Sequence, residues 1–459
     1  MKLLIEGCEV VATMDDAGTE LRGGSILIDD GVIAWVGTGE APPEAEGAQR
    51  IDGRDTVAIP GLVNTHHHLC QVLTRVRAQE EDIFGWLKTL YPVWANLDAD
   101  WVHAGANAAL AEMVLSGCTL TTDHHYAFPE GTTGLIEAEI EAARRLGIRF
   151  QPNRGSMDLG ERDGGLPPQV LCEDPDEALA RTEEIVRRYH DPSDGSMLRI
   201  SIGPCYPLTN SGRLMTESAE LARRLGVRLH THIAEGRDEE ASMVEHFGHR
   251  PLDLLETYGY VGDDVWLAHC VQLGDRDIDK LAATGTGVAT CPSSNMRLGS
   301  GRAPIRRMLD RGVNVGLGVD GSASNDSNSV IGEARQLLLV QRVEGFEHAL
   351  TAREALRVAT RGGAAVLGRD DVGSLEVGKR ADVVLFPLDD LSMVGTDYDP
   401  LAALVFCTPP RPRHVLIEGR HVVRDGRLAT VDEDEIVREA RKATRRVMEL
   451  AGDAAPAGS

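Results

Sequence analysis

The stretch PGLVNTHHHL (residues 60–69) sets three histidines side by side at the end of an apolar run. Adjacent imidazoles make poor core material, so either they are a solvated accident or at least two of them hold something. If the run before them is a strand, successive side chains point to opposite faces. His66 and His68 then project together, and His67 projects away. Two neutral imidazoles on one side of a strand end are the start of a first-row transition-metal site. Alone, an HxH pair fits a solvated loop equally well, so the surrounding chain has to decide.

Moving outward, apolar or β-prone runs recur at 57–66, 119–125, 147–155, 198–205, 227–235, 265–270, 287–292 and 314–321. Helical patterns separate most of them, as at 99–117 and 215–226, each closing at a glycine where a helix C-cap is expected. Eight strands alternating with helices predict an α/β fold, a (β/α)8 TIM-like barrel over 59–368, whose working groups belong at the C-terminal strand ends. The polar residues of these runs do sit at their ends: His66 and His68, His124 and His125, His232 and Glu235, His269, and Asp320.

The two ends of the chain have another texture. Residues 1–58 and 369–431 are rich in short apolar runs broken by tight turns, with D-G pairs at Asp30–Gly31 and Asp425–Gly426 as hairpin signals. They are expected to fold together as one small β-sandwich domain flanking the barrel. Residues 432–459 read as a C-terminal helix with an acidic first turn and later basic turns, matching the helix dipole, followed by a frayed tail after Gly452. The basic cluster reads as a solvated face.

Composition narrows the function classes. A formal net charge of −25, from 47 basic and 72 acidic side chains, opposes binding to nucleic acid or to an anionic membrane surface. Eight cysteines scattered without any CxxC argue against a disulfide framework and a thiolate zinc knuckle. Glu6 interrupts the N-terminal apolar run and no long uncharged apolar segment occurs, so a cytoplasmic protein is expected.

In LHTHIAE (229–235), His230 and His232 share a face, but at roughly 3.3 Å per residue His230 lies a layer deeper. His232 is the better ligand, and His230 reads as a hydrogen-bonded barrel-interior histidine. Glu235, where strand gives way to loop, is placed to hang its carboxyl over a metal and shuttle a proton. Glu239 and Glu240 in the same acidic run read as exposed. His269 and Asp320 complete the set; taken singly, they would pass for a core histidine and a helix-capping aspartate. Three imidazoles and a carboxylate leave one metal ion an open position for water, the requirement of hydrolytic metal catalysis.

PGLVNTHHH, HTHIAE, LAHC, CPSSNMRL (291–298) and GVDGSASND (318–326), in this order, resemble the amidohydrolase superfamily, in its mononuclear nucleobase and triazine aminohydrolase branch. The flanking Gly373, Leu375, Gly378, Ala381 and Asp382 extend the likeness over nearly the whole chain. The resemblance implies one divalent ion, zinc or alternatively iron(II), on His66, His68, His232 and Asp320. It further implies that Asp320 accepts a proton from the attacking water, that Glu235 protonates the ring nitrogen beside the amine-bearing carbon, and that His269 holds the nucleophile or the developing oxygen. No lysine occupies a strand end, so the carbamylated-lysine bridge of binuclear members is not expected. In the triazine chlorohydrolase pattern a threonine replaces the last aspartate, whereas Asp320 is intact, which favours loss of an amine. The implied substrate is a small heterocycle, an amino-substituted oxopurine ahead of triazines, pterins or adenosine-type compounds, and oligomers are common in such a family. Gln71, Trp86, Tyr126 and Arg154 are the expected ring contacts, an amide and a guanidinium for the polar edge and two aromatic faces for stacking.

Overall fold

A computed structural model describes residues 1–452; the tail expected to fray lies outside the described residues. Eight parallel strands close into a barrel: Leu62–Asn64, Cys118–His125, Arg149–Ser156, Ser201–Pro204, Leu229–Ile233, Val265–His269, Gly287–Thr290 and Val315–Leu317. Closure is made where Leu317 of the last strand pairs with Asn64 of the first.

The apolar run 57–66 is two strands, not one. Thr56–Pro60 pairs antiparallel with Val383–Pro387 in the flanking sheet, and Leu62–Asn64 opens the barrel. The change of domain falls at Gly61, where only glycine fits: a Cβ there would lie 1.9 Å from the Thr119 hydroxyl. His66 and His68 therefore stand just past the strand end, before a 3-10 turn over Leu69–Thr74.

Strands from both chain ends form one continuous nine-stranded sheet. Its Asp30–Gly31 and Asp425–Gly426 turns carry positive φ at both positions, as two-residue hairpins with right-handed strand twist require. Leu3, Ile5, Ile26, Val383, Leu385 and Leu416 build a core of its own on one face. Arg149, at the start of the third barrel strand, is fully buried and bridges the two domains. Its guanidinium donates to both carboxylate oxygens of Asp382 at 2.7 and 3.1 Å and also contacts Glu418. The C-terminal helix Glu433–Leu450, capped by Asp432, packs on the barrel helix Ala99–Val114, and part of its basic face is spent on Asp98 through Arg446. The helix expected over 215–226 begins earlier, at Gly212, because the Ser211 hydroxyl caps it by accepting from the Leu214 amide. All eight cysteines are unpaired. No helix among the described residues is long and apolar enough to cross a membrane.

Candidate active site

Six of the predicted side chains meet at the C-terminal mouth of the barrel. His66 and His68 follow the first strand, His232 lies in the fifth, His269 ends the sixth, and Glu235 and Asp320 sit in the loops after the fifth and eighth. Nε2 of His66 and of His68 lie 3.3 and 3.2 Å from one carboxylate oxygen of Asp320, and Nε2 of His68 and His232 are 3.2 Å apart.

The opposite nitrogens of these rings are already spent. Nδ1–H of His68 donates to the His124 carbonyl at 2.8 Å, and Nδ1–H of His232 to that of Cys205 at 2.7 Å. His66 reaches its partner through a relay. His230 donates Nδ1–H to the Trp266 carbonyl at 2.9 Å, so its Nε2 is a bare acceptor and takes Nδ1–H of His66 at 2.8 Å. These tautomers follow from the acceptors. All three rings thus turn an unprotonated Nε2 inward, the outer-shell arrangement that orients metal-bound histidines.

A divalent ion fits this donor set. Nε2 of His66 and Oδ1 of Asp320 are buried without a hydrogen-bond partner, and His66, His68 and Asp320 offer ligand atoms all within 4.8 Å of one another. Burial first, then the neighbouring His68 and His269, hold His232 down at about 3, so it is a neutral ligand at ordinary pH.

Glu235 has the opposite setting. Burial, with Asp320 and Glu239 close by, pushes its carboxyl well above the ordinary value, which suits a group that carries a proton. Its Oε2 lies 3.5 Å from Nε2 of His269, whose Nδ1 is held by Oδ1 of Asn295 at 3.0 Å. Ala234, His269 and Asp320 all adopt left-handed backbone although none is glycine. Such strain, on the order of 1–3 kcal/mol each, persists only where surrounding contacts over-determine it.

The site opens into a cavity of about 480 Å³. Trp86 and Tyr126 line it; Tyr126 stands edge-on to His68 with ring centres 5.1 Å apart, while Trp86 also donates Nε1–H to the Ala323 carbonyl at 2.9 Å. The outer part is mainly apolar, with Ile83, Phe84, Leu87, Leu166 and Phe247 beside the exposed Asp163 and His246, and no lysine or arginine lines the cavity among the described residues. The expectation that Arg154 reads a ring edge is corrected. Its guanidinium lies over the Phe128 ring and forks onto both oxygens of Glu173 at 2.6 and 2.7 Å, away from the cavity lining. Gln71 is not in the lining either. Its buried amide packs beneath the loop that carries Asp320, so close that a Cβ on Gly321 would meet it at 1.8 Å.

His67 points elsewhere, its Nε2 bonded to Oδ1 of Asn328 at 2.8 Å. Glu239, expected to be exposed, is 4% exposed and lines the cavity. The signal was local: an acid four residues after Glu235, just past a strand end, is in reach of the backbone amides between them. Asn295, inside CPSSNMRL, was also passed over; nothing in its spacing predicts that it faces His269.

These features define a metal-dependent hydrolase barrel. Residues 57–422 match the model of the amidohydrolase family, and the chain belongs to that family. Among curated relatives it is 43% identical over 428 residues to the 8-oxoguanine deaminase of Pseudomonas aeruginosa, covering 93% of this chain and 95% of that one. It is 39% identical to the hydroxydechloroatrazine ethylaminohydrolase of Pseudomonas sp. strain ADP, covering 97% and 95%. Among solved structures, the atrazine chlorohydrolase of Arthrobacter aurescens TC1 complexed with zinc superimposes with a TM-score of 0.92 at 35% identity, over 96% of this chain and all of that one.

Proposed function

We propose that this chain is a metal-dependent hydrolytic deaminase of an amino-substituted oxopurine, with 8-oxoguanine, giving urate and ammonia, as the first choice. The observation that carries the reading is the meeting in one cavity of three inward Nε2 atoms and the Asp320 carboxylate with the Glu235 carboxyl and His269 beside them. The identity to an 8-oxoguanine deaminase supports the choice of ring.

His66, His68, His232 and Asp320 would hold the ion, zinc ahead of iron(II); when bound, it supplies Lewis-acid activation of water near neutral pH. Asp320 accepts a proton from the attacking water. As the water oxygen bonds to the amine-bearing carbon, the C=N electrons move to the ring nitrogen, which takes the proton of Glu235. His269, fixed by Asn295, holds the new oxygen substituent. The proton gathered by Asp320 passes to the amine, the C–N bond breaks and ammonia leaves, while the new hydroxyl becomes the carbonyl and returns its proton to Glu235. Trp86 and Tyr126 flank the ring.

A second reading has one observation in its favour. The mainly apolar outer cavity without lysine or arginine suits a neutral ring bearing an alkylamino group, as the name of the hydroxydechloroatrazine relative describes for that enzyme.

The test is metal analysis of the purified protein together with amine release from 8-oxoguanine, guanine, isoxanthopterin, S-adenosylhomocysteine and an N-alkylamino-hydroxytriazine. The highest kcat/KM on 8-oxoguanine is the expected result. A higher value on another ring removes the substrate assignment. Metal-loaded protein inert on all of them leaves a metal-binding barrel without turnover.

A further inference from the structure

Glu239 touches no reacting atom in the chemistry above and acts on Glu235 there only through its nearby charge; it is buried at the edge of the cavity, four residues from Glu235. Both of its carboxylate oxygens are consumed by the backbone that bears Glu235. Oε1 accepts the Ala234 amide at 2.5 Å, and Oε2 accepts those of Glu235 at 2.7 Å and Gly236 at 3.3 Å. Three successive amides converging on one anion form a concave backbone nest, here filled by a side chain of the same loop. The nest exists because Ala234 takes a left-handed conformation, φ 52°, which turns the chain sharply after the fifth strand. Alanine has no intrinsic reason to adopt it; the three hydrogen bonds hold the turn from one side, and the Gln272 amide, donating to the Ala234 carbonyl at 2.9 Å, holds it from the other.

We propose that Glu239 is a positioning residue whose carboxylate locks the 234–236 turn and thereby aims the Glu235 carboxyl at the substrate ring. It does not touch the reacting atoms, because its oxygens are taken up by the three amides and by the hydroxyl of Tyr206. Charge-assisted bonds to backbone amides are among the stronger protein hydrogen bonds, and burial strengthens them further. The geometry also makes the requirement specific to glutamate. Glutamine would turn an NH2 donor toward backbone N–H groups, and aspartate is one methylene short of them. The functional half of this inference rests on the deaminase reading; the structural half stands apart from it.

Both halves are tested with E239Q. Hydrogen exchange of the wild-type protein should show the amides of Ala234, Glu235 and Gly236 protected to the level of barrel-strand amides, while those of Arg237 and Asp238 exchange quickly; E239Q should abolish the difference. With whichever heterocycle the wild type turns over, E239Q should lower kcat at least tenfold, leaving KM within about twofold and metal content unchanged. Unprotected amides at 234–236 in the wild type overturn the proposal even if E239Q does not fold. Unchanged kcat in a folded E239Q whose amides are released overturns the positioning role. A wild-type protein inert on every ring removes the deaminase reading instead, and the exchange measurement still decides whether Glu239 locks the turn.

Discussion

His230 sits between Trp266 and His66, taking the Nδ1 proton of His66 on its own Nε2 at 2.8 Å while its ring stacks on Trp266 with centres 4.4 Å apart. A histidine one layer below the site thus decides which nitrogen of His66 faces the metal position. His230→Phe keeps the stack and removes the acceptor. The expected result is a 10–100-fold weaker metal affinity in a chelator competition, the usual range for an outer-shell partner; equal affinity in the two proteins would remove the relay.

The four proposed ligands differ from His67 in what they face. His66→Ala, His68→Ala, His232→Ala and Asp320→Ala should each be purified with little metal by elemental analysis. His67→Ala should keep its metal and lose only the Asn328 contact. Equal metal loss in all five would contradict the division of the three histidines.

Glu235→Gln keeps the shape of a neutral carboxyl but cannot release its proton. A loss of about 10²–10⁴ in kcat with full metal content is expected, the range for a general acid–base group. A loss of less than threefold would assign the proton to another residue.

Glu139 supplies a pH test outside the site. The Ala127 carbonyl takes the Nε2 proton of His125 at 3.1 Å, so Nδ1 is an acceptor and the Glu139 carboxyl donates to it at 2.7 Å. Burial pushes Glu139 up to about 8 from an ordinary 4.5, against the smaller downward pull of its hydrogen bond with the buried Asp123. Between those values the folded chain holds a proton the unfolded chain has lost, so this contribution is full below about 4.5 and is lost as pH rises toward 8. Glu139→Gln mimics the neutral acid at every pH. Its unfolding free energy relative to wild type should therefore improve by roughly 1.4 kcal/mol per pH unit through that window. Denaturant midpoints at pH 6, 7 and 8 that keep a constant spacing would show Glu139 to be ionised.

Arg154 and Glu173 form a buried fork whose members cannot be parted cheaply. Arg154→Met should destabilise by about 3–5 kcal/mol, leaving the buried Glu173 carboxylate only the distant, half-exposed Arg181 at 3.9 Å, with KM unchanged in the folded fraction. A raised KM at undiminished stability would return Arg154 to the substrate.

Much of this protein was legible in the order of its residues, and the rest was not, for a physical reason. Strand alternation separates His66 and His68 from His67, the D-G pairs set two hairpin turns through their tolerance of positive φ, and polar residues at successive strand ends mark the barrel's working face. All of these are local: they depend on backbone geometry over a few residues. What a side chain is buried among depends on groups brought from elsewhere. Arg154 reads like a substrate clamp until Glu173 is folded onto it. The run 57–66 reads as one strand until Thr56–Pro60 pairs with Val383–Pro387 in the flanking sheet. The sequence alone determined the barrel, the flanking domain and the residues offered to a metal. Only the tertiary structure decided which nitrogens are bare and which acids are neutral, because proton positions follow the partner each buried group finally meets.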